Sequence, residues 1–213
     1  GWIIMGENST KKKIKEIALE LFQKNGFDSV TINEICEQSG VNKHTFYYYF
    51  ASKDELLKDY YELPYDVDTE YFVEILNAGN YVEQLWISYK PFLDHISASG
   101  IEIARQLFIK SITHEVGTFR GHEKHHSYLK LQVGIIEKGQ AAGEIRNSSE
   151  PKSLCVLIHQ TFVSTVFMWC MHKASFDLPL YARAGIETVL DVLPELRQNP
   201  EFRLTDIWVD NEQ

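Results

Sequence analysis

Two helix starts, eleven residues apart, constrain this chain more than any other feature. Thr31-x-x-Glu34 has the spacing of a capping box, in which the two side chains satisfy free backbone N–H groups at a helix start. Asn42 is a second N-cap, and Gly40 between them can adopt the left-handed conformation that a side chain resists. Residues 31–50 therefore predict two short helices joined by a tight turn, a helix-turn-helix unit.

The remaining signals are also helical. Apolar spacing predicts a first helix that stops at Asn25-Gly26, and Ser52-x-x-Glu55 is a capping box for a helix that fades before Pro64. No segment shows the clean alternation of a half-buried strand. Further helices are expected at about residues 68–77, 80–98, 101–119, 122–141, 150–173 and 179–196. The predicted fold is all-α, with about nine helices in a three-helix N-terminal domain and a larger helical domain.

The net charge of −9 is unevenly distributed along the 213 residues. Residues 1–60 carry eight lysines against nine acidic side chains, so nearly all the net negative charge lies beyond residue 60. Such an asymmetry indicates two different functions on one chain.

The second short helix has a cationic and aromatic outward face. Its inward residues, together with those of the preceding helix and turn, are expected to be Ile32, Ile35, Cys36, Val41, Phe46, Tyr49 and Phe50. The opposite stripe, Lys43, His44, Tyr47 and Tyr48, is rich in hydrogen-bond donors and suits a DNA major groove. Core packing is the alternative for the three consecutive tyrosines, but they fan through about 200°, so at least one hydroxyl must face outward.

The first helix carries a run of lysines. Lys11, Lys12, Lys13 and Lys15 are expected in its first turns, where the helix dipole disfavours cations by a few tenths of a kcal/mol each. DNA phosphates would offset this penalty, whereas the alternative is a merely solvated face.

These motifs together carry a resemblance. The pattern is Asn25-Gly26-Phe27, Thr31-Ile32-x-x-Ile35, Gly40-Val41, Thr45-Phe46-Tyr47-x-x-Phe50 and Ser52-Lys53-x-Glu55-Leu56-Leu57. With it, residues 9–60 resemble the DNA-binding domain of the TetR family of bacterial transcriptional regulators. Beyond residue 60 the chain is similar to many members in Gly139-x-x-x-Gly143-Glu144-Ile145 and in Trp169 ahead of Phe176-Asp177-Leu178.

The resemblance implies a dimeric repressor that binds a palindromic operator and releases it when a small molecule enters the C-terminal domain. It implies contacts with the DNA backbone from Thr31, Asn42, Thr45, Tyr47 and Lys53. It also implies contacts with base edges from Lys43, His44 and Tyr48. His44 departs from the small residue that the family often has there. No arginine precedes Arg105, so a bidentate guanine contact must come from Lys43 or through water.

The domains follow from these observations. Residues 1–8 are expected to be a disordered or artificially added N-terminus, and 9–55 the helix-turn-helix domain. Residues 56–198 are expected to form the effector-binding and dimerisation domain, with 199–213 as a C-terminal tail.

Between Lys152 and Lys173 lie twenty residues without formal charge. Their length suits a transmembrane helix, but interspersed polar side chains favour a core or interface helix, and no membrane partner is predicted. A monomer would struggle to cover this helix on all sides. The prediction is a homodimer through the 150–173 and 179–196 helices, which by symmetry reads an inverted repeat.

His122-Glu123-Lys124-His125-His126 has the spacing of a zinc-peptidase motif. His122 and His126 would share a helix face with Glu123 as a base, but no clear third ligand follows. A metal-dependent hydrolase or a metal-responsive regulator is therefore the alternative function. The favoured interpretation is a solvated helix start, and no enzyme activity, catalytic residue, cofactor or metal is predicted.

The effector site is weakly encoded, because apolar pockets and cores share their composition. Its candidate residues are Trp86, Tyr89, Phe92, Phe108, His159, Phe162 and Trp169. The acidic, aromatic-rich second half favours a lipophilic cation as ligand. Three cysteines without a CxxC motif, and no leader-like apolar segment, predict a reducing compartment and hence a cytoplasmic protein.

Overall fold

The computed structural model describes residues 3–60, 69–113 and 123–205, and their side chains except at 3–8, 59, 60 and 123–126. These residues form α1 Ile3–Asn25, α2 Ile32–Ser39, α3 Lys43–Tyr49, α4 Thr69–Asn77, α5 Tyr81–Thr113, α6 Glu123–Ala141, α7 Pro151–Met171 and α8 Leu178–Val189, with 3-10 helices at Asp54–Tyr60 and Pro194–Leu196. Within the described part no strand occurs, and the predicted all-α class is confirmed.

The first of two compact units comprises residues 1–63 together with 96–119. Its core unites one face of α1 with apolar residues of the following turns and helices: Ile14, Ala18, Phe22, Phe27, Val30, Ile35, Cys36, Phe46, Phe50, Leu56 and Leu57. Ile103 and Leu107 of α5 belong to the same core. The domains predicted from the sequence are continuous along the chain, so they did not place residues 96–119 in the first unit.

Helix starts and ends differ from the expectation at two places in the first unit. Because α1 begins at Ile3, residues 3–8 are helical rather than disordered. The lysines from Lys11 onward therefore lie beyond the first two turns, and the argument from the helix dipole was wrong for them. The helix expected after Ser52 is a 3-10 helix over Asp54–Tyr60.

The second compact unit comprises residues 64–95 and 120–213, with α7 packed against both α6 and α8. The last helix ends at Val189, earlier than the predicted residue 196. Asp191 has a positive φ of 47°, and Val192 forms an isolated antiparallel bridge with Ile145. Pro194, which has no backbone N–H, then starts the short 3-10 helix.

Helix α5 is interrupted at Gly100, whose φ of 79° and ψ of 167° are not helical. This conformation is essentially restricted to glycine. A side chain at Gly100 would also meet Gln23, since a Cβ there would lie 3.3 Å from Nε2. The break falls between the predicted helices 80–98 and 101–119.

Helix α7 is the one helix in the described part that is long and apolar enough to cross a membrane by length and composition. Its buried residues, Leu154, Cys155, Ile158, Phe162, Val166 and Cys170, recur at helical spacing. This is the pattern of a core helix with one covered face. Val156, Leu157, Phe167 and Met171 on the same helix are exposed.

Candidate functional site

The start of α2 is held by the capping box that its sequence predicts. The Thr31 hydroxyl oxygen accepts from the Glu34 N–H at 3.2 Å, and the Thr31 N–H donates to Glu34 Oε2 at 2.7 Å. The Thr31 hydroxyl also donates to Glu34 Oε2 at 2.8 Å. The hydrogen bonds that the carboxylate accepts from the Thr31 N–H and then from its hydroxyl lower the pKa of Glu34 below its ordinary value. Thr31 is thus engaged as a cap, and its contact with phosphate stays a prediction.

The turn between α2 and α3 is built on Gly40, which is left-handed with a φ of 69°. Its N–H bonds the carbonyls of Cys36 and Glu37, which closes the end of α2. Asn42 then caps α3, since its Oδ1 accepts from the Thr45 N–H at 2.8 Å and from the Thr45 hydroxyl at 3.1 Å. The helix-turn-helix geometry is therefore fixed by local hydrogen bonds.

Helix α3 presents the polar stripe that its sequence predicts. Phe46 is fully buried, and its ring lies 5.8 Å from the ring of Phe50. Tyr47 and Tyr48 are 52% and 67% exposed, and Lys43 and His44 are exposed as well. We call Lys43, His44, Tyr47 and Tyr48 the reading stripe. Large exposed aromatic side chains next to cations are a feature of binding surfaces rather than of an inert helix face.

Lys53 precedes the 3-10 helix, and its ammonium already has partners within the first unit. Its ammonium donates to the carbonyl oxygens of Phe27 at 2.6 Å and Val30 at 2.9 Å, and lies 4.3 Å from the centre of the Phe27 ring. It therefore ties the loop before α2 to the start of the 3-10 helix. Its predicted contact with DNA phosphate would have to share this ammonium group.

Further lysines of the first unit lie on α1. Lys11, Lys12 and Lys13 are exposed, and Lys15 is half-buried. Lys11 lies 5.7 Å from the ring of Phe50, the residue that ends α3. This contact places one lysine of α1 beside the end of α3, where it can add positive charge to a surface that binds a polyanion.

Models of two protein families match the chain. The family described as "Bacterial regulatory proteins, tetR family" matches residues 14–60, and the one described as "YsiA-like protein, C-terminal region" matches residues 79–191. The chain belongs to the TetR family. It is a DNA-binding transcriptional regulator, and both the family resemblance and the function predicted from the sequence are confirmed.

Relatives of this TetR-family regulator cover most of its length. The "HTH-type transcriptional regulator AcrR" of Shigella flexneri is 33% identical over 208 residues, 90% of this chain and 93% of the relative. Among solved structures, the transcriptional regulator FadR from Bacillus subtilis in complex with stearoyl-CoA has a TM-score of 0.58 at 22% identity, and covers 85% of this chain and 98% of its own. A regulator from Saccharomonospora viridis in complex with choline has a TM-score of 0.62 at 16% identity, with 86% and 96% covered.

The predicted effector residues are only partly brought together in this TetR-family chain. Tyr89 and Phe162 are buried with ring centres 5.2 Å apart, and Phe92 packs on Tyr128 at 5.3 Å. Trp86 instead lies 5.3 Å from the guanidinium of Arg183. His159 and Trp169 are half-buried on α7, whereas Phe108 belongs to the first compact unit.

Polar residues buried in the second unit were missed by the sequence analysis. Ser88 and Gln132 are 0% and 2% exposed, and Gln132 Nε2 donates to the Ser88 hydroxyl oxygen at 3.0 Å. A signal was present, because Gln132 follows Tyr128 and precedes Ile136 at steps of four on α6. A polar residue at a core position of an amphipathic helix indicates a buried hydrogen-bonding site.

The zinc-peptidase spacing at His122, Glu123 and His126 lies outside the described side chains. The hydrolase alternative gains no support from the matched families or from the relatives, which are regulators. Among the described residues no cluster suits a metal ion.

Proposed function

We propose that this regulator is a homodimeric repressor that binds an inverted-repeat operator and releases it when a small molecule binds in the second unit. The observation that carries the proposal is the reading stripe on α3. Its residues are exposed, whereas Ile35, Cys36 and Phe46 behind them are buried and both helices are capped, so the helix is presented rigidly to a partner. Lys43, His44 and Tyr48 would read base edges, and Thr31, Asn42, Thr45, Tyr47 and Lys53 would contact the DNA backbone.

The proposed dimer uses the outer face of α7 together with α8. Val156, Leu157, Phe167 and Met171 are exposed apolar residues on α7, next to the covered face of that helix. A second copy related by a two-fold axis would bury such a face in an isologous contact. Two reading stripes would then meet successive major grooves about 34–36 Å apart.

For the effector we propose a small molecule with a long apolar chain, bound in the cytoplasm. The stearoyl-CoA that is bound to the FadR relative supports this class. The lipophilic cation expected from the acidic charge is the competing class, and the choline complex of the other solved structure supports its positive charge. The release itself would be a population shift toward a dimer whose reading stripes no longer match the operator.

Selection of random duplex DNA by the purified protein tests the proposal. An enriched inverted repeat, with an affinity that falls steeply as salt concentration rises, is expected. In the Lys43→Ala variant the sequence preference should relax, with a loss of about 1–3 kcal/mol at the contacted position. Lys138→Ala, an exposed lysine of α6, serves as control and should bind as the wild type does. Enrichment of no sequence, or unchanged preference in Lys43→Ala, would contradict the assignment.

Stearoyl-CoA and choline, added separately to the operator complex, then compare the two effector classes. Release by stearoyl-CoA alone supports the apolar chain. Release by choline alone supports the cation and rejects the chain.

A further inference from the structure

The hydroxyl group of Tyr89 is a buried polar group that lacks a hydrogen-bond partner among the described residues. Tyr89 is 2% exposed, and its oxygen has no contact with solvent. A buried hydroxyl without a hydrogen bond lowers the folding stability by about 1–3 kcal/mol. Such a group is therefore a candidate for binding a ligand. The ring itself is well packed, against Phe162.

Uncharged polar groups lie near this hydroxyl, since Cys155, Tyr128 and Gln132 each influence its pKa. The Cys155 thiol donates to Gln132 Oε1 at 3.7 Å, Gln132 Nε2 donates to the Ser88 oxygen at 3.0 Å, and the Ser88 hydroxyl donates to the Leu85 carbonyl at 2.6 Å. These hydrogen bonds engage both the oxygen and the nitrogen of the Gln132 side-chain amide. Gln132 comes near enough to Tyr89 to oppose the rise of its pKa, but its amide is directed to Ser88 and Cys155, and the Tyr89 hydroxyl has no hydrogen-bond partner among the described residues.

The protonation states of the site follow from burial. Burial raises the pKa of Tyr89 well above its ordinary value and raises the pKa of the Cys155 thiol to about 11. Both groups keep their protons at neutral pH, so Tyr89 has an O–H to donate. The site formed by Tyr89, Gln132, Ser88 and Cys155 is therefore a neutral one.

We propose that the Tyr89 hydroxyl binds the uncharged carbonyl oxygen of the effector, whose apolar body packs among the aromatic rings beside it. The proposal rests on the proposed function insofar as this ligand is the effector. A phenol donates more readily than it accepts, so the complementary group is an acceptor. Phe162 beside Tyr89, and the Phe92–Tyr128 pair, supply apolar surface for the body of the ligand.

Charged ligand groups fit this site poorly. A carboxylate or an ammonium would leave water for a site whose four polar side chains carry no compensating charge, which is costly. An amide, ester or thioester carbonyl has no such penalty and satisfies the hydroxyl. Because the oxygen is closed off from solvent, the ligand must enter through a local opening of the surrounding helices.

Three probes of equal chain length test the proposal: decanamide, decanoate and decylammonium. Their affinities for the full-length protein are measured by calorimetry and thermal shift. Decanamide is expected to bind most tightly, and Tyr89→Phe is expected to weaken it about fivefold, the effect of losing one neutral hydrogen bond. Tyr89→Phe should unfold at the same temperature as the wild type or higher, since no hydrogen bond within the described residues is lost.

Tyr71→Phe is the matched control. The Tyr71 hydroxyl donates to Asp94 Oδ2 at 3.0 Å, so its removal should lower stability slightly and leave decanamide affinity unchanged. Preferential binding of decanoate or decylammonium, no binding of decanamide, or equal decanamide affinity in Tyr89→Phe would each overturn the proposal. Equal affinity in Tyr89→Phe would indicate that a buried water molecule, and not the ligand, binds the hydroxyl.

Operator binding, measured in parallel, separates this site from the proposed function. If decanamide binds in a Tyr89-dependent way but leaves the operator complex intact, the site stands and ligand release fails. If the operator is bound but decanamide does not bind, the site fails while the DNA-binding function stands.

Discussion

Lys53 is the residue in which structural and DNA-binding roles compete most directly. Its ammonium bonds two carbonyls of the loop before α2, those of Phe27 and Val30. Lys53→Ala should therefore lower the free energy of unfolding by about 1–3 kcal/mol as well as weaken DNA binding, because it leaves both carbonyls without this donor. Denaturant unfolding measures the first effect and a DNA titration the second.

Lys58→Ala is the control for Lys53, since Lys58 is exposed on the 3-10 helix that directly follows Lys53. It should change stability by less than about 0.5 kcal/mol. Unchanged stability in Lys53→Ala would contradict the structural role of the ammonium, and unchanged DNA affinity would contradict its DNA contact.

Glu34 gives the first unit a pH dependence of known sign. The backbone and side-chain hydrogen bonds from Thr31 lower the pKa of Glu34 below its ordinary value of 4.5. Its contribution to stability is therefore complete above that value and is lost as the pH falls through the lower folded pKa. Thermal unfolding of the wild type and Glu34→Gln should differ at neutral pH and converge in acid. A difference that grows in acid would contradict the assignment.

Caps and turns were predictable from the sequence, whereas the neutral site around Tyr89 was not. Thr31 and Asn42 act on backbone N–H groups three residues away, so spacing alone reveals them. The Gln132–Ser88 hydrogen bond joins residues 44 positions apart. Only the packing of α5 against α6 and α7 decides which buried polar groups meet. Tyr89 and Phe162 were named from the sequence as effector-site candidates for their aromatic character alone, and this role stays a prediction.

At the scale of elements, the break in α5 at Gly100 should be intolerant of any side chain. Gly100→Ala should lower the free energy of unfolding by about 1–3 kcal/mol, because its φ of 79° and ψ of 167° strain a residue with a Cβ. Gly134→Ala is the matched control within α6, where a Cβ meets nothing within 4 Å. That variant should stabilise the protein by up to about 1 kcal/mol. Denaturant unfolding of both variants decides, and equal effects would contradict the strain argument.

Helix ends set by distant contacts account for the misplaced boundaries. Apolar residues continue at helical spacing through Ile186, Leu190 and Leu193, so the pattern alone extends α8 too far. The structure ends it with the turn at Asp191 and the bridge of Val192 to Ile145, a partner nearly fifty residues earlier. Local periodicity contains no information on that partner.

For the whole molecule, the exposed face of α7 predicts the oligomeric state. Leu157→Glu, at a position that is 48% exposed, should convert the proposed dimer into monomers and weaken operator binding at least about tenfold, since paired glutamates would face each other across the two-fold axis. Sedimentation velocity gives the mass. Leu76→Glu on α4, a position 79% exposed, is the control and should remain dimeric. A wild-type monomer, or a dimeric Leu157→Glu, would contradict the proposed interface.

Helix α5 contributes residues to both compact units, and this limits how the domains of such regulators can be exchanged. A chimaera that takes only residues 1–63 from this protein would import a core without Ile103 and Leu107, and would lose the ion pair of Lys110 with Asp54 at 2.5 Å. The transplanted residues 1–63 would expose apolar core side chains to water unless the recipient supplied an equivalent helix. The unit to be transferred is therefore discontinuous in sequence: the first sixty residues must be transferred together with the second half of α5.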